Sequence, residues 1–350
     1  MKTLQSGLTN KLLIAGPCAA ESKEQLSQIA RGISKFNPDY FRAGIWKPRT
    51  MPSSFEGVGS EGLLWLQEIK NEYSLKVCTE VANPNHVEQC LRAGIDALWI
   101  GARTTTNPFS VQDIADSLKG EKIPIFVKNP LNPDLKLWIG AIERLKNAGI
   151  ENVYAVHRGF SLTDNGVYRQ TPLWQIPIEL KRIFHEIKII SDSSHIAGKR
   201  DLVASLSQTA MNLGLDGLMI EVHYKPEEAK TDSLQQLSLQ EFESLINNLN
   251  ITNTDENYLP ETIEVLRNKI DNIDEKLIEL LSERMVVSNQ IAQVKKQSNL
   301  SVLQVNRWNK LLSDRIEYSK KKELSENFTK EIFELIHKES VRIQDEIIKK

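Results

Sequence analysis

The stretch SDSSHIAGKR, residues 191–200, places a histidine just past a short β-branched run. That run, residues 188–190, precedes it and a helix-forming segment follows, so His195 is expected just beyond the C-terminal end of a strand. Three further metal-binding side chains occupy similar positions: Cys18 in IAGPC, Glu221 in MIEVH, and Asp232 in the loop that follows. A thiol, an imidazole and two carboxylates predict a site for one divalent ion of the Mn²⁺, Fe²⁺, Co²⁺ or Zn²⁺ class.

Short β-rich runs alternate with longer amphipathic runs through the first 250 residues. The strand candidates are residues 12–15, 40–43, 76–79, 97–100, 123–127, 152–156, 188–191 and 217–222. Several of the intervening helical patterns end at a glycine such as Gly94 or Gly149. Eight β–α units of this size predict a (β/α)₈ barrel. An open doubly wound sheet is the alternative, but its nucleotide-binding form is disfavoured because no GxGxxG or Walker-type loop opens the first unit.

Reactive side chains follow all eight strand candidates. Beside the four metal-ligand candidates, they are Arg42, Lys47, Arg49, Glu80, Arg103, Lys128 and Arg158. Because barrel active sites are built from the C-terminal ends of the strands, we expect these groups to share one mouth. Arginine binds phosphate and carboxylate oxygens through two parallel hydrogen bonds, so six cations predict substrates with more than one anionic group.

The composition excludes several other classes of protein. The 350 residues include 40% hydrophobic and 26% charged residues, with a formal net charge of −2, which gives no case for a nucleic-acid or membrane-surface partner. No apolar run is long enough for a transmembrane helix, and the N-terminal region lacks a signal-peptide core. Three cysteines without close pairing argue against a disulfide framework. We therefore expect a reduced, cytoplasmic protein.

The composition changes sharply after the barrel region. All 17 glycines lie at or before Gly217, and the last proline is Pro260. The chain beyond is rich in Glu, Lys, Leu and Ile and predicts helices. The polar residues 251–259 suit a linker. We therefore expect a first domain over residues 1–250 and a helical second domain over residues 260–350.

An apolar seam with heptad-like spacing runs from Ile263 to Val294, and Arg284 interrupts it. A polar group in such a seam is either a device for pairing specificity or a ligand-binding charge. Lys295, eleven residues later, lies about 20° round the helix and shares the face of Arg284. Arg267 lies roughly 25 Å away along the axis, so it reaches the same small ligand only from an antiparallel partner chain. A plain helical dimerisation domain is the other reading.

The motifs of the first domain resemble those of the short, metal-dependent 3-deoxy-D-arabino-heptulosonate-7-phosphate (DAHP) synthases. They are GPC (16–18), WKPRTMPSSF (46–55), IGAR (100–103), DSSHIAGKR (192–200) and MIEVHYKPEEAKTD (219–232). KPRT distinguishes this group from the sister octulosonate-phosphate synthases. Met51 and Asn129 depart from the residues usual in the family.

The resemblance implies a role for each polar residue at the barrel mouth. Cys18, His195, Glu221 and Asp232 would hold the metal. Arg42, Arg103, Lys128 and Arg158 would bind phosphoenolpyruvate, with Glu80 also at the substrate site. Lys47 would lie between the two substrates, and Arg49 with Thr50 would bind the phosphate of erythrose 4-phosphate.

The second domain resembles the all-helical chorismate mutases. LRNKIDNIDEKLIELLSER (266–284), IAQVKK (291–296), NRW (306–308) and IHKESVRIQ (336–344) carry the likeness. The resemblance implies that chorismate is bound by the partner chain's copy of Arg267 together with Arg284, Lys295, Arg307, Ser340 and Gln344. Gln304 and Trp308 stand where this family often has acidic side chains.

The two resemblances together predict a bifunctional enzyme of aromatic amino-acid biosynthesis. It would be a homodimer through the helical domain, with Lys47, Cys18 and His195 catalytic in the barrel and Lys295 and Gln344 catalytic in the mutase, which needs no cofactor. The alternative keeps the barrel synthase and makes the second domain a non-catalytic sensor and dimeriser. In either case we expect prephenate, bound by the helical domain, to act as a feedback inhibitor of the barrel reaction.

Overall fold

A computed structural model of the protein describes residues 10–48, 53–164, 166–251 and 261–349. The chain divides into two compact units, and the boundary between them falls after residue 254 of the sequence. Except for Ile251, the predicted linker lies outside the described residues. The strands of the first unit are β1 (Leu12–Gly16), β2 (Tyr40–Arg42), β3 (Val77–Val81), β4 (Ala97–Ile100), β5 (Ile125–Lys128), β6 (Val153–His157), β7 (Lys188–Ser191) and β8 (Gly217–Glu221).

The helices of the first unit separate and follow these strands. They are α1 (Lys23–Ile33), α2 (Glu61–Tyr73), α3 (Pro84–Arg92), α4 (Ala102–Thr105), α5 (Pro108–Ser117), α6 (Leu135–Asn147), α7 (Gln175–Ile183), α8 (Ser193–Ala197), α9 (Arg200–Asn212) and α10 (Leu239–Asn248). The second unit has α11 (Glu261–Gln297), α12 (Val305–Lys320) and α13 (Glu326–Lys349).

The eight strands form a closed barrel in sequence order. Every neighbouring pair is parallel, and β1 closes the barrel against β8 in a register that aligns Leu12 with Gly217 and Gly16 with Glu221. Because all strands run the same way, their C-terminal ends share one rim. The predicted (β/α)₈ barrel is confirmed, and the open doubly wound sheet is rejected.

The strands are buried on both faces, which explains their β-branched and aromatic composition. One face packs inside the barrel, where Trp99, Phe126 and Met219 are fully buried. The other face packs against the surrounding helices in a larger apolar layer that includes Trp138 of α6 and Phe242 of α10. This filled interior supports a polar site at the rim rather than a channel through the barrel.

The observed strand bounds differ from the sequence expectation by one residue at β1, β2, β6 and β8, and by up to two residues at β3 and β5. β5 begins at Ile125 rather than at Ile123, because Pro124 has no N–H to donate, although its carbonyl accepts from Leu98 N at 3.0 Å. β3 extends to Val81, so Glu80 lies within the strand rather than after it. Its side chain nevertheless reaches the rim cavity described below.

Gly16 sits where the end of β1 approaches β2 very closely. Its φ is +147°, and a Cβ built there would lie 2.2 Å from the carbonyl oxygen of Arg42. We expect Gly16→Ala to cost at least about 2 kcal/mol, because both backbones are held by the barrel ladder. That loss lowers the thermal unfolding midpoint of the barrel by about 4 to 8 °C, measured by near-ultraviolet circular dichroism.

Gly140 of α6 supplies the matched control for this substitution. A Cβ at Gly140 meets no heavy atom within 4 Å, and its backbone is helical. Gly140→Ala should therefore leave the midpoint unchanged or raise it, by up to about 1 kcal/mol of stability. Equal midpoints for the two variants would contradict the close approach at Gly16.

The second unit consists of the long helix α11 with α12 and α13. Helix α11 packs against α13, yet many of its apolar side chains are more than half exposed in the single chain, including Leu266, Ile270, Ile273, Leu277 and Leu280. Among the described helices of both units, none is long and apolar enough to span a membrane.

Candidate active sites

Four side chains converge at the barrel rim as the sequence predicted. Cys18 Sγ lies 3.3 Å from Asp232 Oδ2. His195 Nε2 lies 3.7 Å from both Glu221 Oε1 and Asp232 Oδ2. One donor atom each from Cys18, Glu221 and Asp232 falls within 4.8 Å of the others. The four residues come from the C-terminal side of β1, β7 and β8, so the parallel barrel itself brings them together.

The orientation of His195 is fixed by Asp192, which caps the short helix α8. Asp192 Oδ1 accepts from His195 N at 3.3 Å and lies 2.9 Å from His195 Nδ1. The other carboxylate oxygen accepts from Lys128 Nζ at 2.7 Å. With Nδ1 held by Asp192, Nε2 is the ring nitrogen that faces Glu221 and Asp232. A carboxylate behind a histidine ligand is the usual support of a metal-bound imidazole.

The electrostatics of the cluster also suit a divalent ion. Burial raises the pKa of the Cys18 thiol to about 12, and Glu221 adds to the effect while Lys47 opposes it. Burial lowers the pKa of His195, against the raising effect of Asp192 and Glu221, which favours the neutral imidazole that binds metals. A divalent charge among these groups would reverse the preference of the thiol for its proton. The residues present therefore fit such an ion.

A cavity of about 280 Å³ adjoins the cluster and is lined mostly by polar side chains. Its lining includes Lys47, Glu80, Arg103, Lys128, Arg158, Arg169, Gln170, His195 and Asp232. Arg42 lies just below, fully buried, with its guanidinium 5.0 Å from the Trp99 ring and its Nη2 donating to Glu221 Oε1 at 3.1 Å. Six of the predicted cations and carboxylates thus surround one small space. Arg49 and Thr50 lie outside the described residues.

Two of the buried arginines keep unused hydrogen-bond donors. In the described part of the chain, no protein group accepts from Arg42 Nε and Nη1 or from Arg158 Nη1. Burial lowers the pKa of Arg158 to about 10, against the raising effect of Asp192. Buried N–H groups without acceptors cost about 1–3 kcal/mol each, so native proteins keep them mainly where a ligand completes the bonding.

Lys47 and Glu80 both line the cavity, and Lys47 also contacts Cys18. Lys47 Nζ donates to the Cys18 carbonyl at 3.1 Å and to Cys18 Sγ at 3.3 Å. Glu80 Oε2 accepts from Trp99 Nε1 at 3.1 Å. Lys47 therefore lies between the metal cluster and the cation-lined part of the cavity.

Sequence reasoning missed four polar residues around the cluster. Asp192 lies inside the quoted motif and could have been found from its N-cap position before SSH. Arg169, Gln235 and Gln236 contact the ligand candidates, but they lie in loops without a periodic signal. Only the closed barrel reveals that these loops face one another.

A second cavity, of about 400 Å³, lies within the helical unit. Five of the six residues predicted there line it: Arg284, Lys295, Arg307, Ser340 and Gln344. Arg267 is exposed on α11 and is not among the described residues that line the cavity. Burial lowers the pKa of Arg284, with a further contribution from Arg315, and burial also lowers that of Lys295.

Polar groups of this cavity form a hydrogen-bonded pair and a hydrogen-bonded chain of three residues. Arg284 Nη1 donates to Ser340 Oγ at 2.6 Å. Lys295 Nζ donates to Gln344 Oε1 at 3.1 Å, and Gln344 Nε2 donates to Ser288 Oγ at 3.1 Å. Ser288 was not predicted, although it lies one turn after Arg284 on the same face.

Trp308 and His337 stack against each other at the wall of the second cavity. Their ring centroids are 3.9 Å apart with planes 12° from parallel. Burial lowers the pKa of His337, and Arg284 and Lys295 lower it further. Trp308 thus gives this wall an aromatic side chain at a position where chorismate mutases often have an acidic one.

The architecture is that of a two-domain enzyme. The first domain is a parallel (β/α)₈ barrel with a polar cavity at its rim, and the second has three helices around a second, cation-lined cavity. Residues 2–256 match the family described as the DAHP synthetase I family. Residues 266–345 match the family described as chorismate mutase type II. The chain belongs to the DAHP synthetase I family and carries a chorismate mutase domain behind its barrel. It is a bifunctional enzyme of the shikimate pathway.

Several characterised proteins resemble the barrel. A phospho-2-dehydro-3-deoxyheptonate aldolase of Thermotoga maritima is 31% identical over 234 residues, 67% of each chain. A 2-dehydro-3-deoxyphosphooctonate aldolase of Campylobacter jejuni is 28% identical over 261 residues, 68% of this chain and 94% of the relative. The crystal structure of a Thermotoga maritima phospho-2-dehydro-3-deoxyheptonate aldolase (DAHP synthase) superposes with a TM-score of 0.61 at 28% identity, covering 69% of this chain and 68% of the other.

Proposed function

We propose that the barrel condenses phosphoenolpyruvate with erythrose 4-phosphate to give DAHP and phosphate, and that the helical domain rearranges chorismate to prephenate. The observation that carries the first half is the pair of buried arginines with unused donors. Arg42 and Arg158 offer three N–H-bearing nitrogens without acceptors in the described chain, and Lys128 and Arg103 stand beside them. A small substrate with a phosphate and a carboxylate would satisfy those donors.

The condensation forms a bond between C3 of phosphoenolpyruvate and the aldehyde carbon of erythrose 4-phosphate. Water then adds at C2, and the C–O bond to phosphate breaks. A divalent ion held by Cys18, His195, Glu221 and Asp232 would supply Lewis-acid polarisation of the aldehyde oxygen. A thiolate, an imidazole and two carboxylates suit an ion of the Mn²⁺, Fe²⁺, Co²⁺ and Zn²⁺ class.

The chain's own residues would bind and orient the two substrates. Arg158, Lys128 and Arg42 hold phosphoenolpyruvate so that its C3 faces the metal cluster, which replaces a bimolecular encounter by a fixed approach. Lys47, 3.3 Å from Cys18 Sγ, is suited to donate a hydrogen bond to the oxygen that gains charge as the aldehyde is attacked. Arg49 and Thr50 would bind the phosphate of erythrose 4-phosphate.

The mutase reaction needs no nucleophile or cofactor, only a clamp for the reactive conformer. Arg284 and Arg307 would bind the two carboxylates of chorismate. Lys295 and Gln344, joined at 3.1 Å, would donate to the ether oxygen as its bond breaks. The exposed seam of α11 supports a homodimer, which buries its apolar side chains and brings the partner's copy of Arg267 to the cavity.

A second candidate function makes the helical domain a sensor without turnover. The neutral Trp308–His337 wall favours it, because a substrate hydroxyl finds there no carboxylate to accept its hydrogen bond. Chorismate turnover by the full chain separates the two readings. A rate no higher than the spontaneous rearrangement would leave the domain as a sensor.

The sugar substrate of the barrel is tested by competition between two aldehydes. We expect erythrose 4-phosphate to be used at least about 10²-fold more efficiently, by kcat/KM, than arabinose 5-phosphate, because KPRT rather than an asparagine-containing motif follows β2. Phosphate release in the presence of phosphoenolpyruvate measures both rates. A preference for arabinose 5-phosphate would assign the barrel to the octulosonate-phosphate synthases instead.

Prephenate is expected to inhibit DAHP formation by binding to the helical domain. Coupling of this kind must be reciprocal in binding, so saturating barrel substrates should weaken prephenate binding by the same factor. Lys295→Met should abolish the inhibition while leaving uninhibited DAHP formation unchanged. Inhibition that persists in Lys295→Met would place the inhibitor elsewhere, and prephenate titration of both proteins gives the answer.

A further inference from the structure

Two consecutive glutamines, Gln235 and Gln236, are fully buried beside the metal cluster. Gln235 ends a turn that begins after Asp232, and its N donates to Asp232 O at 3.1 Å. Gln236 then leads to Leu237 beside the end of β8, where Leu237 N donates to Glu221 O at 2.8 Å. The two amides contact different members of the cluster, Gln235 the carboxylate of Glu221 and Gln236 the backbone of Cys18. A buried amide of this kind needs a specific partner for each of its polar atoms.

Gln235 fixes the carboxylate of Glu221 and connects it to Asp232. Its Nε2 donates to Glu221 Oε2 at 2.7 Å, and its Oε1 accepts from Arg169 Nη1 at 2.7 Å. Arg169 Nη1 also donates to Asp232 Oδ1 at 2.9 Å. Gln235 and Arg169 therefore occupy Oε2 of Glu221 and Oδ1 of Asp232. The other two oxygens, Oε1 of Glu221 and Oδ2 of Asp232, each lie 3.7 Å from His195 Nε2. Oε1 of Glu221 also accepts from Arg42 Nη2 at 3.1 Å, which holds this oxygen toward the cluster.

Gln236 fixes the backbone of Cys18. Its Oε1 accepts from Cys18 N at 3.0 Å, and its Nε2 donates to Thr231 O at 2.8 Å. Thr231 directly precedes Asp232 in the chain. Gln236 thus ties the thiol-bearing loop after β1 to the loop that carries Asp232, although the two are more than 200 residues apart in sequence.

We propose that Gln235, Gln236 and Arg169 are positioning residues for the metal: they restrict Glu221 and Asp232 to one ligand oxygen each and hold Cys18 within reach. The proposal rests on the metal-dependent function proposed above and deepens it. Groups behind the ligands typically change metal affinity by about 10- to 100-fold. Without its donor, Glu221 can rotate and offer both oxygens, which suits larger, harder ions than the class predicted from the thiol and imidazole.

Cobalt titration of the metal-free, full-length protein tests the proposal with a readout independent of activity. The thiolate-to-cobalt charge-transfer band reports on Cys18, the d–d bands report on coordination geometry, and chelator competition gives the Kd for Co²⁺. We expect Gln235→Met to raise that Kd by about 10- to 100-fold and to shift the d–d bands. We expect Gln236→Met to weaken the charge-transfer band.

Gln208→Met is the matched control. Gln208 bonds the backbone of Asn250 in both directions, at 2.9 Å each, on the outside of the barrel, so its loss removes the same chemistry away from the cluster. Its Kd for Co²⁺ and its spectrum should equal those of the wild type. If folded Gln235→Met and Gln236→Met also match the wild type, the proposal is overturned.

Gln235→Glu provides the test if circular dichroism shows that Gln235→Met does not fold. It keeps the length and the acceptor for Arg169 but sets a carboxylate against Glu221 Oε2, so weaker Co²⁺ binding supports the proposal and unchanged binding overturns it. A wild-type protein that binds Co²⁺ without a thiolate band would instead refute the metal site itself, and the positioning roles with it. The two failures are therefore distinguishable.

Discussion

Replacing Cys18 by alanine is expected to lower DAHP formation by at least about 10³-fold while prephenate formation stays unchanged. The substitution removes one of four proposed ligands and the one soft donor among them, so the ion is bound weakly and out of place. Lewis-acid stabilisation is worth several kcal/mol, and about 4 kcal/mol corresponds to roughly 10³-fold in rate. Phosphate release with both phosphorylated substrates measures the loss, in parallel with chorismate consumption by the same sample.

Cys90→Ala is the control for the loss of a buried thiol. Cys90 is as fully buried as Cys18, but it lies on α3 in the layer between barrel and helices, away from the rim. It should keep DAHP formation within about threefold of wild type, because its effect is confined to packing. Chelator-treated wild type should behave like Cys18→Ala and recover when a divalent ion is returned. Full activity in the chelated protein would refute the metal-dependent mechanism.

The fold was predictable because its signals are local and repeated. Eight short strand patterns separated by amphipathic helices leave few arrangements once the handedness and short connections of β–α units are considered. The strand bounds were less accurate, since Pro124 shortens β5 at its start and β3 continues through Glu80. These shifts depend on ladder hydrogen bonds with neighbouring strands, which periodicity does not encode.

The candidate sites were only partly predictable for a different physical reason. Residues such as Cys18 and His195 stand at strand ends, where the barrel brings them together whatever the loops do. Arg169 and Gln235 act through loops whose position depends on tertiary contacts, for example the hydrogen bond from Arg169 N to Ala197 O at 3.2 Å. For a polar residue in a loop without periodicity, the sequence does not indicate which residue its side chain will contact.

In the helical domain, Arg284→Met is expected to lower prephenate formation by about 10²- to 10³-fold with DAHP formation unchanged. Arg284 faces the second cavity from α11, with Ser340 holding its Nη1 at 2.6 Å. Its removal deletes both a partner for a substrate carboxylate and a positive charge near the ether oxygen, whose bond to the ring carbon breaks as the new C–C bond forms. One such donor contributes about that much to the rate. Chorismate consumption at saturating and low substrate separates the loss in kcat from that in KM.

The expected loss of activity in Arg284→Met depends on the planar pair of guanidinium donors as well as on the positive charge. Two further variants separate these two contributions. Arg284→Lys keeps the charge but not the planar pair of donors, so it should recover only a small part of the activity. Arg342→Met removes an arginine that is 54% exposed on α13, where it pairs with Glu339 and Glu346, and should leave the rate unchanged. If Arg284→Met turned over chorismate like wild type, the cavity would not be the mutase site. A different result would support the sensor: a wild type that does not turn over chorismate, together with an Arg284→Met variant that binds prephenate more weakly. The cations of the cavity would then bind a dicarboxylate without accelerating a reaction. Binding needs only the carboxylate partners, whereas the rearrangement also needs Lys295 and Gln344 to donate to the ether oxygen.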